Sequence, residues 1–100
     1  MKMKCQRCLD REFDVPDFSL EEKRTLTNLK ANYQLAELLE RIESIDNMPM
    51  LNAKFILLHI NGTHGKCNRC GMDDLSGEYV VCPKCKALNF NWDIKEPNGH

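Results

Sequence analysis

Six cysteines stand in three pairs of one spacing: Cys5 and Cys8, Cys67 and Cys70, Cys82 and Cys85. Two residues between cysteines form a tight turn. Such a turn aims both sulfurs at one point and lets backbone N–H groups donate to them. Two turns carried on the ends of a hairpin close a tetrahedron of thiolates around a soft or borderline cation such as Zn²⁺. The later two pairs have the right separation, C-x2-C-x11-C-x2-C over residues 67–85. Iron held by four thiolates, alone or in a cluster, satisfies the same donor set. Three reduced pairs without a metal are the bland alternative, and paired thiols make poor core packing.

The stretch KCNRCGMDDLSGEYVVCPKC, Lys66 to Cys85, resembles the zinc-ribbon group: knuckle, turn, strand, knuckle, strand. The resemblance covers residues 66–92, about a third of the chain, and implies a structural metal held by Cys67, Cys70, Cys82 and Cys85 without implying a function. Gly71 follows the first knuckle, where a positive φ is wanted. Lys86 takes the equivalent place after the second and departs from that pattern.

The first pair has three readings. Cys5 and Cys8 could join His59 and His64 in a second zinc site of Cys2His2 type, the reading slightly preferred. They could instead share one zinc with a later pair, since loop closure grows costlier only with the logarithm of length. Or they are a reactive dithiol, with Lys4 and Arg7 lowering a thiol pKa. The last ranks lowest, because the pair precedes a strand rather than opening a helix. An unliganded pair is the plain alternative. One Zn²⁺ is therefore expected on the ribbon, and a second depends on Cys5 and Cys8.

Each pair has cations beside or within it: Lys4 and Arg7, Lys66 and Arg69, Lys84 and Lys86. Four thiolates on Zn²⁺ leave a net charge of −2, which such cations stabilise. The sharper reading has Lys66, Arg69, Lys84 and Lys86 contacting phosphate or a partner. Asp73, Asp74 and Glu78 offset that charge within the same segment.

The elements that must position these residues point to an α+β chain. It has an N-terminal helical part, a long helix plus a buried second helix, and a C-terminal zinc-ribbon β-hairpin. Residues 1–18 read as a knuckle and a short strand ended by Pro16, 19–62 as helical, 63–94 as the ribbon and 95–100 as a flexible tail. Ser19 and Glu22 form a capping box. Apolar residues at spacings of three and four (Leu26, Leu29, Tyr33, Ala36, then Leu35, Leu38, Leu39, Ile42) predict a helix from Leu20 toward Ser44. The weak stretch TLTN, Thr25 to Asn28, is where a break is expected. DNMP, Asp46 to Pro49, is a stop and restart. The next helix, 49–60, is apolar nearly all round and should be buried. Asn61 and Gly62 end it because both tolerate positive φ. EYVV and LNFNW read as strands. In the second, Leu88, Phe90 and Trp92 share one face and Asn89 and Asn91 the other.

Composition narrows the function classes. A net charge of −1 and a pI near 6.3 are not the footprint of a protein that binds nucleic acid mainly through phosphates. The longest strongly apolar run, Phe55 to Ile60, is too short to span a bilayer. No apolar leader opens the chain, so a cytoplasmic, reducing setting is expected. Three functions follow. The first is a non-catalytic, zinc-stabilised module that binds a protein partner, of the adaptor, antitoxin or immunity, or assembly-factor kind. The second is a nucleic-acid-binding ribbon protein of transcription or translation, with Tyr79, Phe90 or Trp92 stacking on bases. The third is a dithiol redox or metal-delivery factor using Cys5 and Cys8. No Ser/His/Asp set, H-E-x-x-H or phosphate-binding glycine loop is present, so no enzyme activity is expected. Leu88 shares a face with Phe90 and Trp92, which favours the core over base stacking. A DNA-reading helix over 49–60 would offer Lys54 as its lone cation and is rejected.

Overall fold

The computed structural model describes residues 1–5, 9–45 and 47–94, with backbone alone for 9–11. Arg7, Cys8 and the expected tail at 95–100 lie outside the described residues. Strands β1 (Lys2–Cys5) and β2 (Leu9–Asp14) pair antiparallel, with Met3 opposite Phe13 and a register shift after Lys4. The sequence pattern predicts only the second of them. Helices α1 (Leu20–Ala31), α2 (Leu35–Ile45) and α3 (Met50–His59) follow, then strands β3 (Tyr79–Val81) and β4 (Leu88–Phe90), also antiparallel. The fold is thus mixed α+β, with the second hairpin beside the later cysteine pairs.

The capping box is present: Glu22 N–H donates to Ser19 Oγ, and Ser19 N–H to the Glu22 carboxylate. The expected long helix is two helices, and the break falls after Ala31 rather than in TLTN. Thr25 to Asn28 sit inside α1, with Leu26 and Thr27 buried. The break is a Schellman turn. Tyr33 N–H donates to the Lys30 carbonyl and Gln34 N–H to that of Leu29, while Tyr33 adopts φ 57°. Glycine or asparagine normally fills this left-handed slot, so a tyrosine there hides the stop. The next stop is conventional: Asn47 has φ 44°, and Met48 N–H donates to the Glu43 carbonyl.

Two further expectations are corrected. Helix α3 is only half buried. Ala53, Phe55, Ile56 and His59 face the core, while Met50 is 54% and Leu58 is 59% exposed. Its apolar residues encircle the helix, but neighbouring elements cover only one side. Gly62 sits in a tight space and does not adopt a positive φ. A β-carbon there would lie 3.2 Å from Ala31 Cα, while α3 ends through extended backbone at Ile60. Ile60 bridges to Phe90, and Asn61 N–H donates to the Phe90 carbonyl.

The main core gathers buried side chains from every element except β3, whose Tyr79 packs against it half-buried. Phe13 stacks on Phe55 at 4.3 Å between ring centroids, Phe90 on Trp92 at 5.8 Å, and Leu26, Leu38, Ile42 and Ile56 fill the space between helices. A smaller cluster, Cys67, Leu75, Cys82 and Ala87, lies under the knuckles. Strand β4 belongs to the main core although it is the ribbon's last strand. Lys23 of α1 forms an ion pair with Glu78 at the edge of β3.

Candidate metal centre

Both knuckles fold through the same backbone pattern. Cys67 N–H donates to the Met72 carbonyl and Gly71 N–H to that of Cys67. In the second, Cys82 N–H donates to the Ala87 carbonyl and Lys86 N–H to that of Cys82. Gly71 has φ 78° and Lys86 φ 68°. Lysine therefore occupies a left-handed position that glycine fills in the first knuckle, at a conformational cost of about 1 kcal/mol. The departure read from the sequence changes the residue and leaves the turn intact.

The two turns bring Cys67, Cys70, Cys82 and Cys85 together, with all four sulfurs within 4.8 Å of one another. Cys67 and Cys85 Sγ are 3.6 Å apart, as are Cys70 and Cys82 Sγ. A tetrahedron with metal–sulfur bonds of about 2.3 Å has edges of about 3.8 Å. The donor set therefore fits one tetrahedral ion, and soft thiolates at this size suit Zn²⁺. The two later pairs meet each other, so neither is left over to share an ion with Cys5.

The thiols are prepared for ionisation to different degrees. Burial works against a charged Cys67. Backbone N–H donors of Cys70 and Arg69, with the Asn89 amide and the Cys85 thiol, outweigh it and bring its pKa down to about 6. Cys82 is lowered too, chiefly by the Cys85 N–H and then, against burial, by that of Lys84. At Cys70 the Met72 N–H favours the thiolate, but burial and the three adjoining sulfurs push the pKa up to about 11. Without a metal the cluster thus holds some of its protons, and a cation that displaces them releases them.

An asparagine network that the sequence pattern does not reveal seats this centre on the helical body. Asn89 Nδ2 donates to Cys67 Sγ at 3.6 Å, and its Oδ1 accepts from Asn68 N–H at 2.8 Å. Asn68 Nδ2 reaches the His59 carbonyl, Asn61 Oδ1 and the Leu88 carbonyl. Asn91 Oδ1 accepts from Asn61 Nδ2 and Gly65 N–H, while its Nδ2 donates to the carbonyls of Leu75 and Gly77. The alternation in LNFNW suggests one buried and one solvated face. Both are buried, because the knuckle loops cover the polar one and use it. Four asparagines around the knuckles are the available signal.

The other candidate residues are placed as follows. Cys5 is fully buried and its Sγ accepts from Leu88 N–H at 3.4 Å. Cys8 lies outside the described residues. His59 is buried, and its Nδ1–H donates to the Phe55 carbonyl at 2.6 Å. Burial above all lowers its pKa, with the Lys30 charge adding to that and the Phe55 hydrogen bond opposing it. His64 is exposed, in a shallow groove with Lys66, Asp73 and Asp74. Among the described residues, the four ribbon cysteines are the one group of potential ligands brought together. Lys66, Arg69, Lys84 and Lys86 are all exposed. Phe90 and Trp92 are buried core and Tyr79 is half-buried, so the aromatics considered for base stacking are not displayed. No helix among the described residues is long and apolar enough to cross a membrane.

No protein-family model, no curated protein and no solved structure matches the chain.

Proposed function

We propose that this chain is a non-catalytic, zinc-stabilised module that docks a protein partner on helix α3. The supporting observation is the exposed face of α3. Met50, Leu51 and Leu58 are all 44% or more exposed, and with Lys54 they recur at helical spacing on one side. Scattered exposed apolar residues are ordinary, but several on one helix face mark an interaction surface. The metal supports this reading indirectly. Four thiolates close the coordination sphere and leave no open position for catalysis.

Charge narrows the partner. Lys54 sits between Leu51 and Leu58 and has no ion pair among the described residues. An antiparallel contact between two copies of α3 would set Lys54 against Lys54. A different protein offering apolar side chains around a carboxylate fits better. The adaptor, immunity and assembly-factor roles all use such a surface. The redox reading is weakened by the complete burial of Cys5, since reactive cysteines sit in partly exposed sites.

Affinity purification of the tagged chain from its host is the test. A stoichiometric partner is expected with the wild type and should be lost from Leu51→Asp/Leu58→Asp. Helicity and metal content of that variant should be unchanged. A chain that retains no partner, or retains one regardless of the substitutions, overturns the reading.

A further inference from the structure

Tyr33 is the least economical residue on the surface. It fills the left-handed position of the Schellman turn, with φ 57°. Bulky side chains rarely adopt that conformation. Tyr33 is 85% exposed, so packing does not compensate for the backbone. Backbone strain without a packing return points toward function.

The ring borders a cleft of about 260 Å³ between the end of α1 and the first knuckle. Lys30, Lys66, Thr63, Asn68 and Cys67 also line it, and no carboxylate stands among its described lining residues. Lys30 is half-buried and donates to the Leu57 carbonyl at 2.5 Å. No carboxylate pairs with it among the described residues. Burial pulls its pKa below the usual lysine value. A desolvated ammonium without a counter-ion is costly, and an anion arriving beside it relieves that cost. The thiolate centre at Cys67 works in the opposite direction, and exposed Lys66 offsets it.

We infer that this cleft binds a nucleotide, its phosphate between Lys30 and Lys66 and its base stacked on Tyr33. In this arrangement the phosphate lies within the cleft and the base at its rim, on the exposed ring. Stacking accepts any base, because every base offers a π face. The nucleotide is either free or part of a single strand. With two cations engaged and a chain of net charge −1, binding depends only weakly on salt. One neutralised phosphate on a single strand corresponds to a slope of about −0.7 in log K against log salt. The site shares no residue with the exposed face of α3, so it stands or falls separately from protein docking.

The test is anisotropy titration of the zinc-loaded chain with fluorescein-labelled oligouridylate, with AMP and inorganic phosphate as unlabelled competitors. Saturable binding is expected, with AMP competing better than inorganic phosphate. Tyr33→Asn keeps a residue suited to the left-handed turn and removes the ring. It should weaken binding about 5- to 140-fold, the range of one base–aromatic stack. Tyr33→Phe should restore it. Lys66→Glu should weaken it further and flatten the salt dependence. An oligonucleotide that binds more tightly than AMP identifies a strand as the ligand, whereas equal or tighter binding of AMP identifies the free nucleotide. Helicity and metal content confirm that the variants fold. No saturable binding of either probe, or binding indifferent to Tyr33→Asn, overturns the inference.

Discussion

The knuckle region and the helical body are held together by different means. In the body, sixteen of the described residues form one buried apolar cluster running from Cys5 to Trp92. Under the knuckles, four of the described residues form the second buried cluster, and two of them are cysteines. A cluster that small buries too little apolar surface to offset the ordering of its loops. A metal ion on the four thiolates would supply what the side chains do not. Strand β4 belongs to both regions: Leu88 and Phe90 lie in the body's core, while Asn89 donates to a cysteine sulfur. The boundary between metal-held and apolar-held structure therefore runs through the ribbon, along the strand Leu88–Phe90, rather than between the helices and the ribbon.

Removing the metal is the largest perturbation. Structural zinc in comparable small sites is worth about 10–16 kcal/mol at neutral pH. Chelation should abolish amide protection over residues 66–87, while α1, α2 and α3 keep theirs in hydrogen exchange. Loss of protection everywhere would show that the two regions unfold as one. Elemental analysis should give one zinc per chain on the ribbon, unchanged by Cys5→Ser. A fall in zinc for that variant would bring Cys5 into the coordination set.

Acidification tests the same boundary more gradually. The Cys67 thiol is brought down to about 6 in the metal-free cluster. The stability linked to its thiolate is thus fully present above the ordinary thiol pKa and is lost as pH falls through about 6. Zinc competes with those protons. Its affinity, followed with a chromophoric chelator, should fall with decreasing pH by about tenfold per unit for each proton taken up. A pH-independent affinity would mean that the cysteines bind zinc without releasing protons.

A cavity in the body should act on the body alone. Ile56 is fully buried, and Ile56→Ala should cost about 2–5 kcal/mol in urea denaturation with zinc affinity unchanged. The asparagine joint should instead connect the regions. Asn68→Ala removes donors to the His59 and Leu88 carbonyls and should cost about 1–3 kcal/mol. It should also speed zinc loss to a chelator. If zinc loss is unaffected, the network merely fills space. The smallest effect concerns the two knuckles: Lys86→Gly relieves the left-handed lysine and should stabilise by up to about 1 kcal/mol.

The metal centre is legible in the sequence because its signal is local. Spacing within each cysteine pair dictates a turn, and turns of that kind converge on an ion. The capping box at Ser19 and the stop at Asn47 are legible for the same reason. Tyr33 reads as an apolar helix position, and at that spacing nothing distinguishes it from one. Its turn is defined by hydrogen bonds from residues 33 and 34, which a side-chain pattern does not encode. The exposed face of α3 is hidden because hydrophobicity reports what a helix tolerates, whereas neighbours decide which side they cover. The alternation in LNFNW correctly gives two faces. It does not say that the knuckle loops fold over the polar one.

By itself, then, the sequence determined the turn within each cysteine pair and the mixed helix-and-hairpin composition, because these follow from interactions a few residues apart. Tertiary structure decided which pairs share an ion, where the asparagines point and which apolar residues stay in water. Those outcomes depend on surfaces meeting from distant parts of the chain. Cys5 lies beneath Leu88, 83 residues away, and Lys23 beside Glu78, 55 residues away. Such contacts are selected by the packing of the whole, and no short stretch of residues specifies them.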